Sequence, residues 1–269
     1  MARRSSKCHS SLHRPQFNAR PTRTHLSRFE SMIFVAFWPT SGTHRDRPRF
    51  PIQLEEIMTV IAPWNLDPTR LLSRRELTTV LADLATRAPR SANDRRNRIV
   101  VRLACCCGLR VSEIAGLQID DVVTEVQWPH LRLRREITKG RRARCVPLWW
   151  DAGTLDDLAS WKAERLTGGA RGTDPFVCAM QSHRRGLPLQ RAGLRRRFLT
   201  ACKVLGLSRL RTLTIHHGRH TYISHALAGG RKLAEVRAAA GHASLLTTSV
   251  YLHVAVDDDG ELGNLFVFK

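Results

Sequence analysis

The run from Thr214 to Val254, TIHHGRHTYISHALAGGRKLAEVRAAAGHASLLTTSVYLHV, constrains the chain more than any other stretch. Its periodicity predicts helices over Gly218–Ala228, Leu233–Ala240 and Leu245–Leu252. On them sit a His-x-x-Arg-His-Thr cluster (His216, Arg219, His220, Thr221), then Gly241-His242 at a helix junction, Thr247, Thr248 and Tyr251. Tyr251 is one of only two tyrosines in the chain. His216 and Arg219 are spaced i, i+3 and share a helical face, so both can act on one ligand. His, Arg and Tyr brought together in a basic protein point to phosphoryl chemistry on a nucleic acid.

The charge supports that direction. The chain carries 44 Lys and Arg against 23 Asp and Glu, a formal net charge of +21, most of it arginine. A surplus this large suits a polyanionic partner, because cations that neutralise phosphates release condensed counterions; a merely cationic protein is the plainer reading. The seven cysteines are odd in number and include no Cys-x-x-Cys pair. Cys105, Cys106 and Cys107 would point in three directions on a helix, so the cysteines read as buried thiols of a reducing cytosol and not as a metal site. His216 and His220 are spaced i, i+4 but lack the intervening glutamate of a zinc helix, so no metal is expected. No stretch approaches the ~18 apolar residues of a membrane helix. Met32–Trp38 is apolar but short and is followed by Pro39, and a cytoplasmic location is expected, although the Arg- and Ser-rich first residues also suit a transit peptide.

Residues 1–65 are rich in Arg, Ser, His and Pro without a sustained period, which predicts a disordered basic leader. More regular text opens at Met58, the expected native start. Ser73-Arg-Arg-Glu76 is a capping box ahead of Leu77, Val80, Leu81 and Leu84 at helical spacing. Further helices are expected from about Asp94 to Cys107, with Gly108 as cap, and over Val111–Leu117, Thr154–Leu166 and Gln190–Leu205. Two or three strands are expected between Val122 and Leu148, including a hairpin whose basic tip is Lys139-Gly140-Arg141. The expected fold is α+β but mainly α: a helical domain over 66–254 with one small antiparallel sheet, then a tail over 255–269. In that tail Leu262–Phe268 is apolar and would pack on another protomer or on its own chain.

Breaking a DNA phosphodiester without metal needs a nucleophile, cations for the non-bridging oxygens, an acid for the leaving oxygen and a group to manage the nucleophile's proton. Arginine suits the clamp, since its planar fork matches phosphate oxygens; lysine suits proton donation from a mobile tip. Singly, each candidate has an ordinary reading. Arg110 would be a surface arginine at a turn, Lys139 an exposed turn lysine, His216 and His242 capping histidines, Arg219 a surface arginine and Tyr251 a core tyrosine. Their joint occurrence, in this order and spacing, decides for function.

CGLRVSEIAGLQIDDV around Arg110, ITKGRRARCVPL around Lys139, HHGRHTYISHAL around His216 and Arg219, and GHASLLTTSVYLHV around His242 and Tyr251 together resemble the catalytic domain of the tyrosine recombinases, or phage integrases, including the Xer type. The resemblance covers roughly Leu72–Val254. It implies that Arg110 and Arg219 clamp the phosphate, Lys139 protonates the 5′-hydroxyl leaving group, and His216 assists the nucleophile's proton. It further implies that His242 bonds a phosphate oxygen, that Tyr251 forms a 3′-phosphotyrosyl intermediate, and that Glu113 plays a supporting part. No cofactor is implied. The implied partners are double-stranded DNA and other protomers, as a homo-tetramer or with a second recombinase.

Two departures stand out. Gly218 occupies a position where the family usually has leucine, which predicts a looser helix start. The first 65 residues do not read as the family's N-terminal core-binding domain, which leaves a truncated product, a compact variant or a protein dependent on a partner. The readings that compete with a recombinase are a catalytically idle DNA-binding relative and a type IB topoisomerase-like enzyme.

Overall fold

A computed structural model describes residues 68–253. The basic leader, Met58 and the apolar tail Leu262–Phe268 lie outside them. Helix α1 (Arg74–Arg87) starts on the expected capping box: the Ser73 hydroxyl accepts from the Glu76 N–H, and the Glu76 carboxylate accepts from the Ser73 N–H. Leu77, Val80, Leu81 and Leu84 form its buried face. Helix α2 begins two residues before the expected Asp94, at Ala92, because Ser91 accepts from the Asp94 N–H and caps it (α2, Ala92–Val101).

The chain then widens into a π-helix, Arg102–Cys106, closed by Cys107 N–H on Arg102 O at 3.0 Å and by Gly108 at φ +63°. Cys105, Cys106 and Cys107 are all buried here, as expected, and burial pushes the thiols of Cys105 and Cys107 well up. The expectation fails for Cys145. It lies on the solvent face of its strand and is exposed, because alternation turns Val146 inward and Cys145 outward.

Helix α3 (Val111–Gly116) leads to strands β1 (Val122–Val123), β2 (His130–Leu133) and β3 (Arg144–Pro147), which form one antiparallel sheet in the order β1-β2-β3. Val122 pairs with Leu131, and Leu131 with Val146. The connection between β2 and β3 ends in the expected basic turn, with Arg141 N–H on Thr138 O and Gly140 at φ +80°. Helices α4 (Ala152–Thr167) and α5 (Arg191–Ala201) follow. Next comes α6 (Leu207–Thr212), which periodicity does not predict because it buries no residue. A distant tie accompanies it: Arg209 donates to Glu76 at 2.7 Å and to Thr69 O at 2.6 Å.

Helix α7 (Ile215–Ala228) starts three residues earlier than expected, capped by Thr214, which places His216 in its first turn. Thr221 and His225 hold the start of α1: the Thr221 hydroxyl accepts from Leu72 N–H, and His225 Nε2 meets Leu72 O. Helices α8 (Leu233–Ala240) and α9 (Leu246–Ser249) complete the set, and the last turn, Val250–His253, is 3-10 where α-helix was expected.

Gly218 does not loosen the helix. It lets α7 cross the π-helix closely: a Cβ there would lie 2.9 Å from Ala104 Cβ, 3.0 Å from the Ala104 backbone and 3.0 Å from Cys105 Sγ. Gly218→Leu is expected to destabilise the protein by about 3 kcal/mol, read as a Tm lowered by roughly 6–12 °C. An unchanged Tm would show that the crossing yields.

Candidate active site

The site is built from the chain leaving the π-helix. Arg110 precedes α3; its N–H donates to Glu113 Oε2 at 2.8 Å and its Nη1 to Glu113 Oε1 at 3.0 Å. Glu113 is wholly buried. From β3, Arg144 donates through Nη1 and Nη2 to both carboxylate oxygens, at 2.9 and 2.8 Å. Burial pushes the Glu113 carboxyl up, but the forked Arg144 bond and the Arg110 contacts outweigh it, and the group titrates below the usual glutamate value. Glu113 is thus an anchor: it fixes Arg110, whose side chain stays 23% exposed and can meet an anion.

Arg219 arrives from α7. It is buried and donates to the backbone carbonyls of Gly108 and Ala240. Burial lowers it to about 10, and Arg110 pushes in the same direction while Glu113 opposes. Two guanidiniums that repel each other in a sheltered setting have their remaining N–H donors available to an oxyanion. Arg144 also reaches across to α8, donating through Nε to Ala239 O at 2.9 Å. Gly241, left-handed at φ +69°, ends α8 where a side chain would strike Arg144 and turns the chain to His242.

Tyr251 is buried, and its hydroxyl lies 2.6 Å from His220 Nδ1. Burial raises the phenol above its ordinary value, with Arg219 opposing. It therefore stays protonated at neutral pH, and attack needs a proton acceptor. Burial lowers His220 to about 4, with His217, Arg219, His216 and Arg70 adding repulsion, so His220 is neutral and able to accept. His242 is lowered to about 4 by burial and by Arg219, Arg110 and Arg144; its Nδ1 lies 2.9 Å from the buried Thr248 hydroxyl. With Thr248 donating there, Nε2 carries the proton and can donate to a ligand.

The structure thus gathers Arg110, Glu113, Arg219, His242 and Tyr251. Lys139 stands exposed in the β2–β3 turn and makes none of these bonds. His216 is exposed in the first turn of α7 and touches the group only through its effect on His220. Sequence reasoning missed two members. His220 was visible as a member of the His-x-x-Arg-His-Thr cluster and as the i+4 partner of His216 but was given no role, and Arg144 was visible only as a strand residue. Their roles come from long-range packing of the last turn on α7 and of β3 against α3 and α8.

Residues 71–257 match the phage integrase family model. Tyrosine recombinase XerC of Mycobacterium tuberculosis is 32% identical over 161 residues, 60% of this chain and 50% of the relative. Tyrosine recombinase XerD of Halalkalibacterium halodurans is 29% identical over 167 residues, 59% of this chain and 50% of the relative. The chain thus spans about half the length of these curated relatives. Among solved structures, XerA recombinase superposes with a TM-score of 0.55 at 22% identity, over 71% of this chain and 60% of that one. XerH site-specific recombinase bound to difH substrate, a pre-cleavage complex, gives 0.53 at 26% identity, over 68% of this chain and 50% of that one. The mainly helical fold with its small antiparallel sheet is the fold of these recombinases.

Proposed function

The chain belongs to the phage integrase family of tyrosine recombinases, and on that premise we propose that it cuts and rejoins double-stranded DNA site-specifically through a 3′-phosphotyrosyl intermediate. The observation that carries this reading is the Tyr251 hydroxyl, 2.6 Å from a neutral His220 and beside the Arg110–Arg219 pair. Tyr251 Oη attacks the phosphorus as His220 Nδ1 takes the phenolic proton. Arg110, Arg219 and His242 Nε2 hold the non-bridging oxygens. The bond from phosphorus to the 5′-oxygen breaks, and Lys139, on its exposed turn, gives that oxygen a proton. The 5′-hydroxyl of a second strand then attacks the phosphotyrosine and returns the phenol. His216 stands exposed in the first turn of α7, and in this reading His220 takes the direct proton role that the resemblance gives to His216.

Segment 66–254 is the catalytic domain in this reading, acting in the cytoplasm as a homo-tetramer, or with a second recombinase, on two duplexes. The test incubates the full chain in EDTA with two differently labelled duplex pools drawn from its gene's neighbourhood. Joint products carrying both labels are expected. Plasmid relaxation without joint products would replace this reading with a topoisomerase, and DNA binding without either would leave an idle relative.

His220→Gln is expected to slow cleavage by about 10²-fold or more with DNA affinity unchanged. The parent rate should fall as pH drops through the His220 value of about 4, because a protonated ring accepts nothing; the variant should lack that limb. His220 and His242 also couple folding to pH. Their folded values lie below the unfolded one, so the unfolded chain binds more protons, and stability falls as pH drops from about 6.5 to about 4. Rate–pH profiles and acid melts check both.

A further inference from the structure

Away from the cleavage site, a cavity of about 320 Å³ opens between α2, α5 and the segment before α5. Arg96, Arg184, Arg196 and Arg197 line it, with no carboxylate among its walls. Arg96 is fully buried, and its Nε and Nη1 have no hydrogen-bond partner; only Nη2 is used, on Asn97 Oδ1 at 3.0 Å. Cys178 and Asp94 favour the charged form of Arg96, and Arg87 already holds Asp94 at 2.8 Å. Burial and the neighbouring Arg197 lower Arg96 to about 10, leaving it charged at neutral pH.

The N-terminus of α5 faces the same space. Gln190 occupies its cap position without a side-chain bond, no acidic residue stands in its first turn, and Gly193 lines the cavity. Free N–H groups and the positive end of the helix dipole favour an anion there. A buried guanidinium with two unused donors costs free energy unless a ligand or water meets it. A tetrahedral oxyanion draws on the set: one oxygen takes a single N–H of Arg96, and the others take helix N–H groups and Arg197.

We propose that this cavity is a phosphate-binding site distinct from the cleavage site, taking one phosphate group either of a DNA backbone or of a free phosphate-bearing molecule.

The test uses the full chain carrying Tyr251→Phe, so that no cleavage intrudes. Its melting is followed in inorganic phosphate and in chloride at matched ionic strength. At phosphate tenfold above its dissociation constant, a Tm rise of about 3–6 °C is expected, and it should vanish in Arg96→Met and in Arg197→Gln. If Arg96→Met does not fold, Arg197→Gln, on the half-exposed wall, carries the comparison. Binding of a labelled duplex across salt then separates the sources. If the site meets the DNA backbone, Arg197→Gln weakens duplex binding and lowers the salt slope by about one. If it serves a free molecule, duplex binding is unchanged while the phosphate effect is lost. A parent protein with no phosphate-specific rise, or a rise kept in both variants, would show an ion on the general basic surface only and overturn the proposal.

Discussion

Tyr251→Phe is expected to lower strand cleavage by at least about 10⁴-fold, the scale of deleting a covalent nucleophile, while fold and DNA affinity stay close to the parent's. The hydroxyl's bond is to His220, and the ring belongs to a small cluster with Trp150, Tyr222, Ile223 and Val236 that phenylalanine fills equally well. Loss of one such hydrogen bond costs about 0.5–1.5 kcal/mol. No other tyrosine can take over. Tyr222, the second of the two, is fully buried, stacked on Trp150 at a centroid distance of 6.2 Å, and pushed far up in pKa by burial. Cleavage kinetics on a nicked duplex, beside a melting curve, check both halves; residual cleavage within tenfold of the parent would remove Tyr251 from its role.

The second large effect is on stability. Glu113→Ala strands the guanidinium of Arg144, and in part that of Arg110, in a sheltered setting. Removing one partner of a buried ion pair costs about 3–5 kcal/mol, so Tm should fall by roughly 6–20 °C. Glu113→Gln should fall between, since an amide oxygen keeps a bond to the Arg110 N–H but loses the charge. The linkage has a definite sign. The folded carboxyl titrates below the ordinary value, so its stabilisation is present above that ordinary value and is lost as pH falls through the lower, folded one. Acid melts should show this dependence in the parent and not in Glu113→Gln. An alanine variant as stable as the parent would mean that Arg144 finds another partner and that Glu113 does not anchor the clamp.

What could be read from the residues, and what could not, divides along local and distant causes. Ser73 and Glu76 state the start of α1 in four residues, and Gly108 marks the end of the π-helix through its own backbone preference. Arg110, Arg219, His242 and Tyr251 were legible as a set because their order and spacing are specific. Three things were not. The π-helix at Arg102–Cys106 follows from packing against α7, where Gly218 admits a close approach that no local period announces. Helix α6 buries nothing, and its tie to the α1 cap runs through Arg209, 133 residues along the chain from Glu76. His220 reaches Tyr251 only because the last turn folds back on α7, a contact that local spacing does not announce. The exposed face of Cys145 was a simple miss of strand alternation.

Covalent capture of DNA by the parent protein tests the central claim most directly. The protein would be mixed with nicked suicide duplexes, denatured, and the adduct digested and mapped by mass spectrometry. The account predicts a denaturation-resistant adduct whose nucleotide is joined through its 3′-phosphate to Tyr251. An adduct on any other residue, or none from a protein that binds the same DNA tightly, would contradict it.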